Sequence, residues 1–458
     1  MPQRVILIMC STDGQLGVIT RIYPMKIICI NMFSLLIVAL CSCNAKSVNV
    51  DNLKVSESEN TISWRVLGEF DGNSLIVKND VDLQGHRCKI PIGIALHFKG
   101  GVISNGTLEG NATPISYRRA CFDQVRIVGS WNVQVIKTSM FKDLSYDNAL
   151  IDVMALTRPE VRNKVIIEKG VYYLKAQQGG KCLSLCSNTE LIIDGEIRLK
   201  PNEFKGYSII YVNGENIKIK GAGVIIGDKD LHKGTEGEWG MGVRFHGATN
   251  SSLDGISVRD CWGDCVYVGG RSKGIEIKNC ILENGRRQGI SVTNADGVKI
   301  SHCKIMNIAG TAPEYAIDLE PNRDDTVTNI LVEYVEVNNC KGGFLATRGT
   351  KSNKTSIGKI EISNCTVSVR GKYPIRIRKS QNLLVDRCII HTTNIKPAIS
   401  MEGVEKSVAT NNRIYIKQKA ISTVRNKVNA FFQGEEYNAI NVSDCLQSKL
   451  NNNRVVIR

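Results

Sequence analysis

The chain repeats a short apolar strand along its second half, and that repeat constrains the fold more than any other feature. The strands read GVRFH (242–246), CVYVG (265–269), GISVT (289–293), AIDLE (316–320), GFLAT (343–347), PIRIR (374–378), AISME (398–402) and AISTV (420–424), with centres 22 to 31 residues apart. A second strand follows most of them and ends in a small or thiol residue, as in GISVRDC, GIEIKNC, GVKISHC, KIEISNC and NLLVDRC. Cys261, Cys280, Cys303, Cys365 and Cys388 then fall at matching positions, with Val335 and Asn412 taking that place in other rungs. A period in the low to mid twenties with two or three strands per repeat predicts a parallel β-helix, an all-β solenoid. One coil cannot bury its own inner face, so coils stack about 4.8 Å apart and share one core. The cysteine column reads as an internal stack of small apolar side chains. Composition agrees: 41 glycines, 10 prolines and 6% aromatics suit short strands joined by tight turns.

The first half divides differently. Residues 1–43 read as a leader, with Lys26, an apolar run over 27–40 and small residues before Cys43. Leu40-Cys41-Ser42-Cys43 is similar to a bacterial lipobox, in which Cys43 is acylated; a plain signal peptide giving a soluble secreted protein is the alternative. Either way the protein is expected to be exported, and the lipobox reading adds a membrane-anchored lipoprotein at the periplasm or cell surface. Residues 44–140 carry strand-like segments, read as extra coils or as a small β-region. Residues 141–458 form the β-helix domain, with a helix expected in 146–174 as an N-terminal cap, since an open strand stack invites edge pairing. Cys182 and Cys186 either pair or fill core, and irregular cysteine spacing without a matching histidine set predicts no metal site. A net charge of +15 is spread without a block of five or six basic residues, so no nucleic-acid partner is expected and an acidic polysaccharide is. A monomer or small homo-oligomer is expected.

GEWGMGVRFHG, WGDCVYVGG, NGRRQGISV and GTAPEYAIDLEPN together resemble right-handed parallel β-helix proteins of the pectate-lyase-like superfamily, over roughly 140–458. The resemblance implies that fold and a secreted polysaccharide-processing role; hydrolases, lyases, epimerases and binding proteins all share it. GDCVYV resembles the Asp-Asp-Cys strand of polygalacturonases, and YPIRIRKS their Arg-Ile-Lys segment. Only Asp264 stands where that pattern has two aspartates, the Asn-Thr-Asp coil is missing, and RRQG replaces Gly-His-Gly.

Alternation places candidate chemistry on one outward face. Residues i and i+2 of a strand share a face, so Arg244, Tyr267, Ser291, Asp318, Leu345 and Arg376 form one row. His246, Gly269, Thr293, Glu320, Thr347 and Arg378 form the next. Asp318 and Glu320 have Cα atoms roughly 6.6 Å apart, and carboxyls roughly 5–9.5 Å apart are what glycoside hydrolysis uses. The resemblance adds Asp264 as a further acid or base. Arg286 and Arg287 lie in the turn before QGISV, which Gln288 opens as a further substrate-binding candidate; the two arginines either grip a uronate or sulfate or pair with the neighbouring acids. Arg376 and Arg378 suit a further subsite, His246 and Arg244 the other end of the groove, and Glu238 the loop before it. Trp239 or Tyr267 stacks on a sugar, or Trp239 is a buried loop anchor. A glycoside hydrolase is the leading expectation, without cofactor. A polysaccharide lyase, with calcium near Asp324 and Asp325, and a non-catalytic glycan-binding lipoprotein are the alternatives.

Overall fold

Three parallel ladders run through the second half of the chain, and every coil adds one strand to each. In the computed structural model, residues 61–457 are described apart from 349–351, 353, 394–395 and 418–438, together with a short antiparallel pair at Met9–Cys10 and Leu16–Gly17. Cys43 and the segment 420–424 lie outside the described residues.

A representative coil comprises Ser272–Lys278, Ile281–Glu283 and Ile290–Val292, followed by Ala295–Ser301, Lys304–Met306 and Tyr315–Leu319 in the next. We name the ladders sheets A, B and C in that order. Sheet A pairs Ile275 with Val298 and Ile277 with Ile300; sheet B pairs Leu282 with Ile305; sheet C pairs Ile290 with Ile317 and Val292 with Leu319. The inward columns of sheet C run Val243, Val266, Ile290, Ile317, Phe344, Ile375, Ile399 and Phe245, Val268, Val292, Leu319, Ala346, Ile377, Met401, all buried. Each such side chain contributes about 1.5–3 kcal/mol of transfer free energy, so the core is a sum over coils and not one central cluster.

The corners explain the cysteines. Between sheets A and B, Asn279, His302, Tyr334, Asn364, Arg387 and Asn411 adopt φ of 50 to 56°, a left-handed bend that asparagine tolerates best. The residue after each bend points into the core: Cys280, Cys303, Val335, Cys365, Cys388 and Asn412. The thiols donate to the carbonyl two residues back, as from Cys280 to Lys278 (3.1 Å), Cys303 to Ser301 (3.3 Å) and Cys365 to Ser363 (3.2 Å). Asn412 fills the same place with amide bonds, accepting from Cys388 N (2.9 Å) and donating to Val385 O (3.0 Å). Cys261 does not belong to this column. Asp254 pairs with Lys278, so Gly255 and Ile256 match Asn279 and Cys280, and Cys261 follows a second bend, at Asp260 (φ 58°), between sheets B and C. Asn284, Asn307 and Asn339 repeat that second bend and link sideways, Asn339 to Asn307 at 2.7 Å and Asn307 to Glu283 at 3.0 Å. The twelve cysteines among the described residues are free thiols, Cys182 and Cys186 included.

Residues Ser58–Arg458 fall in one compact unit. Within 61–132 the strands also pair in parallel, Ser74–Val77 with Ala95–Phe98 and Ile103–Ser116 with Phe122–Asn132, apart from an antiparallel hairpin at Glu69–Asp71. Residues 146–174 hold a one-turn helix, Leu150–Met154, and then the strands Asn163–Ile167 and Val171–Leu174; the helix is buried through Leu150, Val153 and Met154 against Phe122–Asn132 and Lys181–Leu185. Pro159 disfavours helix at Arg158, and Asn163 locks the turn there by accepting from Arg158 N and donating to the Arg158 and Val161 carbonyls. Strands precede and follow this helix, so it packs at a joint within the run of strands. At the other end, the strand that pairs with Ile399–Glu402 is Ile440–Ser443.

Candidate functional site

Sheet C turns one face outward, and its register sets the predicted rows side by side. Arg244 pairs with Tyr267, Tyr267 with Ser291, Ser291 with Asp318, Asp318 with Leu345 and Leu345 with Arg376. His246 pairs with Gly269, and Thr347 with Arg378, which pairs with Glu402. Thr293 and Glu320 stand just past the ends of their strands, and Glu320 N donates to Val292 O at 2.9 Å.

Arg287 is the centre of the site. Its guanidinium lies 3.4 Å from Asp264, 3.0 Å from Glu320 and 3.6 Å from Glu238, with 13% of its side chain exposed. Ser291 Oγ accepts from it at 3.5 Å. Asp264 and Asp318 are fully buried, while Glu320 keeps 49% of its side chain exposed. Gln288 fixes Asp318: its Oε1 accepts from Tyr315 N at 2.8 Å, which turns its Nε2 to donate to Asp318 Oδ2. Asp318 Oδ1 has no partner.

Burial sets the protonation states. It lifts the Asp264 carboxyl from its ordinary 3.8 to about 6; Arg287 and the Ser291 hydroxyl oppose the rise, and Glu238 adds to it. Burial and then the Glu320 charge push the Asp318 carboxyl well above its ordinary value, against Arg287 and the Gln288 amide, so its surroundings favour the protonated form. Burial alone would lower the Arg287 guanidinium, but Asp264, Glu320, Glu238 and Asp318 outweigh it and raise it. The cluster therefore holds one buried acid whose surroundings favour the protonated form beside a half-exposed carboxylate anchored on arginine, a polarity that suits proton donation and acceptance two residues apart.

The other predicted residues separate. Arg286 turns away from both aspartates: it donates to Gly237 O at 2.8 Å and lies over the Trp262 ring at 3.7 Å. Arg244 lies over Tyr267 at 5.1 Å, and the Tyr267 hydroxyl bonds Thr293 at 2.7 Å. His246 is pulled below its ordinary value by burial, then by Arg244 and Lys181, leaving a neutral imidazole at pH 7. Trp239 is 53% exposed at the start of its strand, so it is not a buried anchor. Arg376 and Arg378 share Glu402, at 3.7 and 2.8 Å, and Arg376 covers Tyr373 at 4.6 Å. Asp324 and Asp325 are engaged by neighbouring side chains, Ser352 for the first, Asn294 and Asn322 for the second. Among the described residues no three His, Cys, Asp or Glu side chains converge as a metal site.

Sequence reasoning missed two groups. Glu402 was readable, since it occupies the Glu320 position of its own rung. The network under Arg286 was not: Tyr207, on the strand Gly206–Val212, donates to Asp228, His232 bonds Asp228 at 2.9 Å, and His232 stacks on Trp262 at 3.9 Å, the last three residues standing in turns without periodicity.

The three parallel ladders define a parallel β-helix protein, with a cluster of acids around Arg287 on one sheet. Comparison agrees: the family described as "Right handed beta helix region" matches residues 166–319 and 201–358. Two Bacillus subtilis (strain 168) proteins are similar, the uncharacterized protein YclG (34% identity over 182 residues, 33% of this chain and 31% of its own) and the SPbeta prophage-derived uncharacterized protein YorA (31% over 166 residues, 31% and 28%). The chain thus spans under a third of the length of either. Among solved structures, a hyperthermoactive exopolygalacturonase from Thermotoga maritima superposes with a TM-score of 0.44 at 15% identity, over 62% of this chain and 87% of that one.

Proposed function

We propose that the chain is a glycoside hydrolase acting on an acidic polysaccharide, uronate-containing or sulfated. The observation that carries this reading is the fully buried Asp318, its carboxyl held well above the ordinary value, two residues from the half-exposed Glu320 that Arg287 anchors. Asp318 is assigned as the acid, Glu320 as base or nucleophile, and Asp264 as the buried charge that tunes both through Arg287. Tyr267, His246 and Arg244 line one end of the groove and exposed Trp239 offers a ring for stacking on a sugar. Arg376 and Arg378, two coils and roughly 10 Å beyond Asp318, favour anionic sugar units. Gln288 and Glu238 orient the cluster, and no cofactor enters this reading.

One observation favours a second reading. With neither Asp264 nor Asp318 reaching the surface, the cluster also suits a rigid glycan-binding groove in which the acids only hold Arg287. A lyase would need a cation free to neutralise a uronate, and Arg287 is already shared by three carboxylates. A panel of uronate-containing, sulfated and neutral polysaccharides incubated with the purified protein separates these readings. New reducing ends that disappear in Asp318→Asn and Glu320→Gln support hydrolysis, and ultraviolet absorbance from an unsaturated uronate would replace it with a lyase. Binding without any product would leave the glycan-binding reading.

Export and anchoring at Cys43 complete the proposal, supported by the lipobox-like Leu40-Cys41-Ser42-Cys43. Palmitate labelling in a bacterial host should vanish in Cys43→Ser; unlabelled wild-type protein in the soluble fraction would refute it.

A further inference from the structure

A second polar cleft lies at the corner where the chain leaves sheet C for sheet A, on the coils beyond Asp318. Three successive turns contribute to it: Arg348 from the first, Lys379, Ser380 and Gln381 from the second, Gly403 and Glu405 from the third. Ser356 and Ile357 of sheet A complete the lining. The turn is fixed by backbone bonds: Lys379, at φ 56°, donates to Glu402 O at 2.8 Å, and Glu405 N donates to Ser380 O at 3.0 Å. The cleft holds about 230 Å³. At about 30 Å³ per water that is several waters' worth, below the ~300–1,000 Å³ of sites for drug-sized ligands, and suited to one sugar ring.

Its chemistry is under-satisfied. Ser380 is 2% exposed and its hydroxyl has no partner; Arg348 Nε is likewise buried without one. Among the described residues neither Arg348 nor Lys379 forms an ion pair, whereas Arg287, Arg376 and Arg378 are each held by carboxylates. Buried polar groups left unpaired are costly, and a ligand able to pair them recovers that cost. Two cations call for an anion. Glu405 and Gln381 on the same lining call for hydroxyl donors, and Glu405 disfavours a bare inorganic anion at close range.

We propose that this cleft binds a single uronate residue, its carboxylate on Arg348 and Lys379 and its ring hydroxyls on Glu405 and Gln381. The assignment narrows the acidic-polysaccharide reading to uronate, yet it concerns binding at a separate corner and does not require turnover at Arg287.

Titration of the full chain with sodium galacturonate, sodium glucuronate, galactose and inorganic sulfate, by calorimetry and saturation-transfer NMR, tests it. One uronate should bind at the cleft, apart from any that the sheet C groove takes, with galactose at least tenfold weaker. Arg348→Gln and Lys379→Gln should each weaken uronate binding about tenfold, while Asp318→Asn leaves it unchanged even where it abolishes turnover. Lys379 lies at the surface turn, so its variant keeps the test open should Arg348→Gln misfold. Uronate binding indifferent to both variants, or absent, overturns the site. Sulfate binding as tight as uronate with the same variant sensitivity overturns the uronate assignment in favour of a simple anion site. Turnover intact in Asp318→Asn with uronate binding sensitive to Arg348→Gln and Lys379→Gln refutes the hydrolase reading alone, whereas turnover lost in Asp318→Asn with uronate binding indifferent to those two variants refutes the cleft alone.

Discussion

Removing Arg287 should destabilise the protein in a strongly pH-dependent way. Asp264 is fully buried, and its carboxyl sits at about 6 in the folded chain against 3.8 when solvated. A raised carboxyl binds more protons folded than unfolded, so stability falls as pH rises through this window. At about 1.36 kcal/mol per unit the shift costs about 3 kcal/mol above pH 6, and nothing below pH 3.8. Asp318 contributes in the same direction. Arg287 holds the Asp264 value down, so Arg287→Gln leaves a buried carboxylate without its cation. Breaking such a pair costs about 3–5 kcal/mol when the remaining group must stay charged. At pH 7.5 that is the expected loss; at pH 5 the acid takes up a proton instead and the loss should shrink to about 1 kcal/mol. Glu320 and Glu238 also lose a partner, but as solvent-accessible groups they add little. Urea unfolding at both pH values, for wild type, Arg287→Gln, Asp264→Asn and the double variant, measures this directly. The double variant should recover most of the loss at pH 7.5. An equal loss at both pH values, or no recovery, would refute the account of Arg287 as counter-ion to a buried aspartate.

Three further outcomes follow from the coils. Ile317→Ala, in the middle of the inward column of sheet C, should cost about 2–5 kcal/mol in urea unfolding, and a loss below about 1 kcal/mol would contradict a continuous stacked core. Asn307→Ala, at φ 58° with bonds to Glu283 and Asn339, should cost about 1–3 kcal/mol, and Asn307→Gly should cost less because glycine accepts the left-handed bend. Trp239→Ala should shift stability by no more than about 0.5 kcal/mol while raising KM on a responsive polysaccharide, since a side chain 53% exposed has little core to lose; a large stability loss would make it a scaffold residue.

The solenoid was legible because its signal is local and repeated. Strand alternation fixed which residues face outward, and Arg244, Tyr267, Ser291, Asp318, Leu345 and Arg376 stand in one column as read. Cys261 was misplaced because two corners share one local grammar, a polar residue in the left-handed region followed by a buried small one. Asp260-Cys261 and Asn279-Cys280 look alike in sequence, and only the pairing of Asp254 with Lys278 tells the corners apart. The same limit applies to the site. Spacing brings Asp318 and Glu320 to one face, but it carries no information on depth. That Asp318 is sealed and Glu320 open depends on where Arg287 and Gln288 fold back from their turn. Arg286 and Arg287 are adjacent in sequence and go opposite ways, one over Trp262 and one among the acids, because Trp262 and the 237–239 loop arrive from other coils.

What remains is why a solenoid would bury Asp318 at all. Its column neighbours are Ser291 and Leu345, residues that fill the same position without a carboxyl to desolvate. The scaffold gains little from the acid. Tyr315 N is satisfied by Gln288 and Glu320 N by the Val292 carbonyl, while Asp318 Oδ1 is left with no partner. A buried carboxyl that costs stability, leaves one oxygen unpaired and bonds only Gln288, itself a member of the cluster, belongs, on physical grounds, to the site and not to the fold. Asp318→Asn puts this to the test, since asparagine is nearly isosteric with the neutral acid and its amide oxygen can still accept from Gln288. Folding stability at pH 7.5 should stay within about 1 kcal/mol or rise, while turnover on a responsive polysaccharide should fall by about 10² or more. A drop in stability of several kcal/mol with glycan turnover intact would return Asp318 to the scaffold and leave Glu320 and Arg287 as the working groups of the groove.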